Sequence, residues 1–298
     1  MRVAILGFGL IGGSIAHALR VDPSGLPWTV AAWSPTGAGP ARAADERVVD
    51  LAAGSVAAAL DGAELVVLAA PPLDCLGLVD ELAGPLRGAL GAALVTDVAS
   101  TKRRIASHAA RAGLRFVGGH PMAGRETTGY GAADRDLFVG RPWVVLEGGA
   151  SADVAAVERL ATACRAVPIR LSADSHDAAV AAISHLPLVL SAALVEAVAG
   201  RGGGAGAQSP GKDGRGDWPV AARLAASGWR DMTRLARGDA VMGAGIAATN
   251  ADALAARIRD VRDVLGGWLA ELEREGGPDA GRLEERLRAA RSALDDEA

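Results

Sequence analysis

Short apolar runs alternate with stretches of helical periodicity through the first half of the chain. The runs are rich in Val, Ile and Leu, which is typical of strands buried on both faces. They lie at 2–6, 28–33, 64–69, 93–98, 115–118 and 143–146. Because strands separated by helices form parallel βαβ units, the pattern predicts an α/β fold with a doubly wound parallel sheet. Ligands of such sheets bind at the carboxyl ends of the strands.

The pattern changes near residue 172, after which long Ala/Leu-rich stretches with helical periodicity dominate. We therefore predict two domains, an α/β domain at 1–172 and an all-helical domain at 173–298. The apolar stretch 178–199 is interrupted by polar residues, which favours a buried helix over a membrane span. Residues 200–216 contain eight glycines and predict a flexible surface loop.

Composition narrows the class of partner. The chain has 298 residues, half of them apolar, and a formal charge of −4 that is spread along its length. Without a basic stripe, we expect a small-molecule ligand and neither nucleic acid nor a membrane as partner. Cys75 and Cys164 stand far apart, so we expect core residues, with no disulfide and no metal site. The glycine-rich start does not resemble a secretory signal, and the predicted location is cytoplasmic.

A glycine-rich motif, GFGLIGGS at 7–14, follows the first predicted strand and opens a helix. This is the context in which a helix N-terminus binds a pyrophosphate, so the motif predicts a Rossmann-type dinucleotide site. The residues assigned to the cofactor are Gly7, Gly9, Leu10, Ile11 and Gly12.

The end of the second predicted strand bears on the choice of dinucleotide. An acidic residue there would bind the adenosine ribose of NAD. The sequence instead places Ser34 and Thr36 there, with Arg42 a few residues on. Hydroxyl and guanidinium donors suit a 2′-phosphate, so the cofactor is predicted as NAD(P) with a slight preference for NADP.

Polar clusters follow the fourth and fifth predicted strands, at 96–102 and 118–126. Both clusters should therefore lie at the nicotinamide edge of the sheet. His120, with Pro121 directly behind it, is the candidate base for an alcohol whose carbon loses hydride.

Taken in order, these motifs resemble the prephenate and arogenate dehydrogenases of tyrosine biosynthesis. The resemblance rests on GFGLIGGS at 7–14, DVASTK at 97–102, GGHPMAGRETTG at 118–129, HDAAVAAISHLPL at 176–188 and GWRDMTRLA at 228–236. It implies oxidation of a ring alcohol by NAD(P), coupled to loss of a ring carboxylate as carbon dioxide.

The resemblance also implies roles for individual residues. His120 would accept the hydrogen bond or proton of the ring hydroxyl, and Ser100 would orient that hydroxyl beside the nicotinamide, contacting both substrate and cofactor. The substrate-binding candidates are Arg234, Arg125, Glu126 and His185. Relatives of this kind form homodimers, so a homodimer is expected.

Three questions stay open. Leu188 occupies a position where prephenate-using members commonly carry a second histidine, which leaves room for arogenate. Two other functions are also compatible with the glycine motif: another dehydrogenase acting on a β-hydroxy acid or an imine, and a nucleotide-binding protein without catalysis. Feedback inhibition by tyrosine is not decided by the sequence.

Overall fold

The computed structural model describes residues 1–125, 127–200 and 218–295. Its main sheet has five parallel strands in the order β3-β2-β1-β4-β5. The strands are β1 (Arg2–Leu6), β2 (Thr29–Trp33), β3 (Leu51–Ala52), β4 (Leu65–Leu68) and β5 (Leu94–Asp97). The predicted doubly wound sheet is confirmed, and its order reverses beside β1, where a ligand crevice forms.

Helices cover both faces of this sheet. They are α1 (Leu10–Arg20), α2 (Ala38–Asp45), α3 (Val56–Leu60), α4 (Pro72–Ala83), α5 (Arg87–Leu90) and α6 (Arg103–Arg111). Successive side chains of a strand point to opposite faces, and β1 accordingly sends Ile5 into one apolar cluster and Leu6 into the other. Cys75 and Cys164 are fully buried free thiols, as predicted for core residues.

A second, three-stranded sheet follows. It contains β6 (Gly119–Pro121), β7 (Pro142–Leu146) and β8 (Val167–Leu171), with α7 (Ser151–Ala163) between β7 and β8. β6 runs antiparallel to β7, and β7 runs parallel to β8. The strand predicted at 115–118 is wrong in position, because only Phe116 bridges to β5 and the strand proper begins at Gly119. β8 was not predicted from the sequence, because it contains a proline and has no buried residue.

After β8 every regular element in the described chain is helical, as predicted. The elements are α8 (Ala173–Val180), a π-helical turn (Ala181–His185), α9 (Leu186–Ala199), α10 (Trp218–Leu224), α11 (Ser227–Met232), a 3₁₀ turn (Leu235–Arg237), α12 (Ala240–Thr249), α13 (Ala251–Leu272) and α14 (Ala280–Asp295). The predicted glycine-rich loop at 200–216 lies outside the described residues, apart from Gly200, which caps α9 in a left-handed conformation.

The apolar stretch 178–199 is less buried than its sequence suggested. Within α9 only Ser191 is buried, so the expectation of a buried helix is wrong for that half of the stretch. Among the described residues, Ala173–Ala199 is the one helical stretch long and apolar enough to cross a membrane, with a mean hydropathy of 2.0. Core helices of soluble proteins share these properties.

The chain divides into two compact units, Met1–Ala251 and Asp252–Ala298. The first unit contains both sheets and the helices from α1 to α12. A division at residue 172 stays a prediction, since α8 and α12 both belong to this first unit.

Candidate active site

The glycine-rich turn between β1 and α1 has the geometry of a pyrophosphate cradle. Gly7 has φ +94°, and a Cβ there would lie 2.4 Å from the carbonyl oxygen of Ala69. A Cβ on Gly12 would lie 2.4 Å from the carbonyl oxygen of Gly7, so both positions require glycine. Gly9 caps α1 without a side-chain hydrogen bond, and a Cβ there would meet only the backbone nitrogen of Gly129, at 3.9 Å. The first-turn N–H groups are therefore available to an anion, and the turn fits a dinucleotide.

Leu10 and Ile11 begin the helix behind this turn. Leu10 is buried in the core and Ile11 is half-buried against it. They fix the position of the helix N-terminus, which is how they can support a bound cofactor.

The predicted ribose residues line an open cleft of about 430 Å³ beside the glycine turn. Ser34 and Thr36 reach it from the end of β2, and Arg42 reaches it from α2. Glu46 hydrogen-bonds Nε of Arg42 at 2.8 Å, so this guanidinium is held beside the cleft.

Tyr130 also lines this cleft, and the sequence analysis did not identify it. Its ring stacks on Phe8 and His17, with centroid distances of 5.3 and 5.7 Å, and its hydroxyl donates to Glu46 at 2.6 Å. A Cβ on Gly13 would lie 2.7 Å from this ring, so the glycine at position 13 leaves the space that the Tyr130 ring occupies. The chain that follows His120 therefore packs onto the glycine-rich turn.

At the carboxyl end of β5, Asp97 and Lys102 form an ion pair in which both side chains are fully buried. Asp97 also accepts hydrogen bonds from the backbone N–H groups of Ala99 at 3.1 Å and Gly119 at 3.3 Å. These contacts hold the loop after β5 against β6. A buried pair of this kind is costly to break, because removing one partner leaves an uncompensated charge.

Asp177 of α8 caps helix α6, which lies more than seventy residues earlier in the chain. Its two carboxylate oxygens accept the backbone N–H groups of Lys102 at 2.8 Å and Arg103 at 2.9 Å, at the start of α6. A carboxylate is favoured there by the positive end of the helix dipole. Although burial favours its neutral form, these hydrogen bonds and one from His176 lower the pKa of Asp177.

The predicted base, His120, lies in β6 and is buried, with 9% of its surface exposed. Its Nδ1 is 2.8 Å from Nε2 of His176, and Nδ1 of His176 is 2.7 Å from Oδ1 of Asp177. Burial lowers the pKa of His120 well below the ordinary histidine value, and neighbouring His176, Lys102 and His185 lower it further. His120 is therefore neutral near pH 7, as an acceptor must be.

The π-helical turn places a third histidine, His185, beside this cluster. At about 100° per residue, an uninterrupted α-helix would put His185 on the face opposite His176, nine residues earlier. The additional residue of the π turn rotates His185 back, so that Asn250 Nδ2 reaches both the carbonyl of Asp177 at 2.8 Å and Nδ1 of His185 at 3.2 Å. Such turns often occur at functional sites.

His185 and the predicted Ser100 lie next to each other. Burial lowers the pKa of His185 to about 4, against the opposing effects of Asp177 and the backbone of Ser100. Ser100 is half-buried in the loop after β5. Its neighbour Thr101 is hydrogen-bonded to Thr249 of α12 at 2.7 Å, which fixes this loop against the helical part.

The other predicted substrate residues lie on exposed segments. Arg125 donates to Asp134 at 2.7 Å, and the backbone N–H of Asp134 donates to Ser14 of α1 at 2.9 Å. Arg234 is exposed and precedes the 3₁₀ turn, whose Ala236 N–H donates to Ser191 of α9 at 2.9 Å. Glu126 lies outside the described residues. The structure thus brings His120, Ser100 and His185 into one cluster and places Arg125 and Arg234 on the surface of the protomer.

This fold and site define a class: an oxidoreductase with a Rossmann-type nucleotide-binding part followed by a helical part. Residues 18–173 match the nucleotide-binding domain of prephenate dehydrogenase, and residues 172–279 match its dimerization domain. The chain therefore belongs to the prephenate dehydrogenase family.

Individual relatives agree with this assignment. The chain is 30% identical to prephenate dehydrogenase of Bacillus subtilis, over 91% of this chain and 68% of the relative. Among solved structures, arogenate dehydrogenase of Synechocystis is 30% identical and superposes with a TM-score of 0.77 over all of both chains. A putative prephenate dehydrogenase of Corynebacterium glutamicum is 28% identical, with a TM-score of 0.80 over 99% of this chain and 89% of that one.

Proposed function

We propose that this protein catalyses the NAD(P)-dependent oxidative decarboxylation of prephenate to 4-hydroxyphenylpyruvate, or of arogenate to tyrosine. One observation supports this most strongly: a buried, neutral histidine lies in β6 beside the end of β5, and the chain that follows it packs on the glycine-rich turn. Relatives with either substrate in their names are equally similar to the chain, so both substrates enter the proposal.

The chemistry needs one hydrogen-bond acceptor from the protein. When bound, NAD(P)⁺ supplies the acceptor for the hydride that leaves the ring carbinol carbon. The electron pair of the bond between ring and carboxylate becomes part of the aromatic ring as carbon dioxide departs. The product keeps its hydroxyl hydrogen, so His120 polarises or briefly holds that proton at Nε2 and returns it. Aromatisation supplies the driving force.

The remaining roles are proposed from the sequence motifs. Ser100, beside His185 at the end of β5, orients the substrate hydroxyl and contacts the nicotinamide. His185 binds on the substrate side of that loop. Arg234 binds a substrate carboxylate through its planar fork, and Arg125 is a second contact for a substrate carboxylate. Glu126 gates the pocket mouth or closes an ion pair.

For the cofactor, we propose a preference for NADP. Ser34, Thr36 and Arg42 line the ribose cleft, and β2 does not end in a carboxylate. Arg42 is held at the cleft by Glu46, so a 2′-phosphate would meet a positioned cation.

We further propose a cytoplasmic homodimer with a domain division near residue 172. The matched dimerization domain and the apolar, largely unburied helix α9 support a second subunit as the cover of that helix. The two matched domains meet at residues 172–173.

The test is the absorbance at 340 nm of purified protein in a grid of two substrates and two cofactors: prephenate or arogenate, each with NAD or NADP. We expect reduced cofactor to form, fastest with NADP. If folded protein that binds the cofactor is inactive in all four combinations, the proposal is wrong and the binding-protein alternative replaces it.

A further inference from the structure

A chain of two buried hydrogen bonds runs from a carboxylate of the helical part to the proposed base in the second sheet. It joins Asp177 to His176 at 2.7 Å and His176 to His120 at 2.8 Å. Asp177 and His176 are almost completely buried. We propose that His176 and Asp177 are positioning residues that fix His120 in the tautomer with hydrogen on Nδ1 and a free lone pair on Nε2. This inference rests on the proposed role of His120.

Which atom donates in each of these two hydrogen bonds follows from the hydrogens that each group carries. An ionised carboxylate only accepts hydrogen bonds, so Nδ1 of His176 must carry hydrogen and donate to Asp177. A histidine ring that carries hydrogen at Nδ1 alone accepts at its other nitrogen, so Nε2 of His176 is an acceptor in this arrangement. Nδ1 of His120 must therefore carry hydrogen and donate, which leaves Nε2 of His120 as the acceptor that the substrate hydroxyl needs.

The chain of hydrogen bonds begins at Asp177, whose carboxylate is fixed in place. The carboxylate of Asp177 is held by the N–H groups of Lys102 and Arg103, so it cannot turn away from His176. Its pKa is lowered by these hydrogen bonds, which keeps it ionised and obligatorily an acceptor.

The hydrogen-bond chain ends at Nε2 of His120, which is free to accept from a substrate. Nε2 of His120 has no hydrogen-bond partner among the described residues, yet it is not sealed from solvent. The charged and titratable groups acting on His120 are His176, Lys102 and His185, and all three oppose its protonation. The arrangement thus supplies a neutral ring with one defined acceptor facing outward.

Two replacements of His176 separate this role from a structural one. Glutamine offers an oxygen that can accept from Nδ1 of His120, whereas leucine offers none. We expect His176→Gln to keep kcat within about tenfold of wild type and His176→Leu to lose about 100-fold, with cofactor Kd unchanged in both. A merely structural role in this buried site predicts the reverse order, because leucine is cheaper to bury than an amide.

His108 provides the matched control. It is a surface histidine of α6 that pairs with Asp80 at 2.7 Å. The same two substitutions, His108→Gln and His108→Leu, should both leave kcat unchanged. If His176→Leu is as active as His176→Gln, the positioning role is wrong.

A direct reading of the tautomer does not depend on activity or on the folding of a variant. The chain has five histidines, so ¹⁵N-labelled wild-type protein can be assigned by NMR with single substitutions. Above neutral pH we expect the ¹⁵N shifts of His120 to show protonated Nδ1 and unprotonated Nε2. Hydrogen on Nε2 of His120 would overturn the inference even if the enzyme is active, whereas an inactive enzyme with the expected tautomer would overturn only the proposed function.

Discussion

The two halves of the candidate site are built differently. The cluster around His120, which contains Lys102, Asp177 and Asn250, is buried and hydrogen-bonded within one protomer. The segment with Arg234, residues 218–238, has Thr233 as its one buried residue. The proposed reacting end is thus preorganised by the protomer core, while the segment proposed to bind a carboxylate lies on a surface next to the unburied helix α9. Substitutions should accordingly affect turnover in the first region and substrate affinity in the second.

The largest expected effect is on turnover at His120. His120→Ala removes the acceptor for the substrate hydroxyl, so kcat should fall by about 10² to 10⁴. Cofactor Kd, measured by quenching of tryptophan fluorescence, should stay within about twofold because the glycine turn is untouched. Unchanged turnover would remove His120 from the mechanism.

The buried ion pair should control stability. Lys102→Met leaves Asp97 as an unpaired buried charge, with an expected cost of about 3–5 kcal/mol and a fall in Tm of roughly 10 °C. The double variant Asp97→Asn with Lys102→Met removes both charges and should recover part of this loss. Scanning calorimetry would contradict the buried pair if the double variant were no more stable than the single one.

The effect at Arg234 should appear in substrate affinity. Arg234→Ala should raise KM by about 10- to 100-fold, the value of a charge-assisted hydrogen bond to a carboxylate. Arg234→Lys keeps the charge but loses the fork and should lie between this variant and wild type. Steady-state kinetics that show a loss confined to kcat would place Arg234 with the reacting groups.

The smallest expected effect is on cofactor choice. Arg42→Leu removes an exposed cation from the ribose cleft, so NADP affinity should fall about five- to tenfold while NAD affinity changes little. Arg159→Leu, another exposed arginine, should change neither Kd. Equal loss for both cofactors would mean that Arg42 does not meet the 2′-phosphate.

Features that depend on a local sequence pattern were predicted, and features that depend on contacts between distant residues were not. β1, the glycine turn and His120 were predictable because each lies in a local pattern, a buried strand or a motif at its end. The ion pair of Asp97 with Lys102 is local in sequence, but its complete burial depends on the surrounding fold. Asp177 reaches α6 across more than seventy residues, and no periodicity indicates such a contact.

Two further misses have similar causes. The π turn that rotates His185 inserts one residue into a helix whose composition gives no sign of it. Tyr130 was not predicted as a residue of the cofactor cleft, because it reaches the cleft by packing on Gly13 and Phe8, far away in the sequence. Local chemistry was therefore more predictable than the contacts that hold it in place.

The coupling of oxidation to decarboxylation, and its dependence on His120, is tested most directly by measuring carbon dioxide and reduced cofactor in the same reaction. Wild-type protein and His120→Ala are compared side by side. Coupled oxidation and decarboxylation predicts one carbon dioxide for each NAD(P)H in wild type and a parallel loss of both in the variant. Reduced cofactor without carbon dioxide, or a variant as active as wild type, would contradict it.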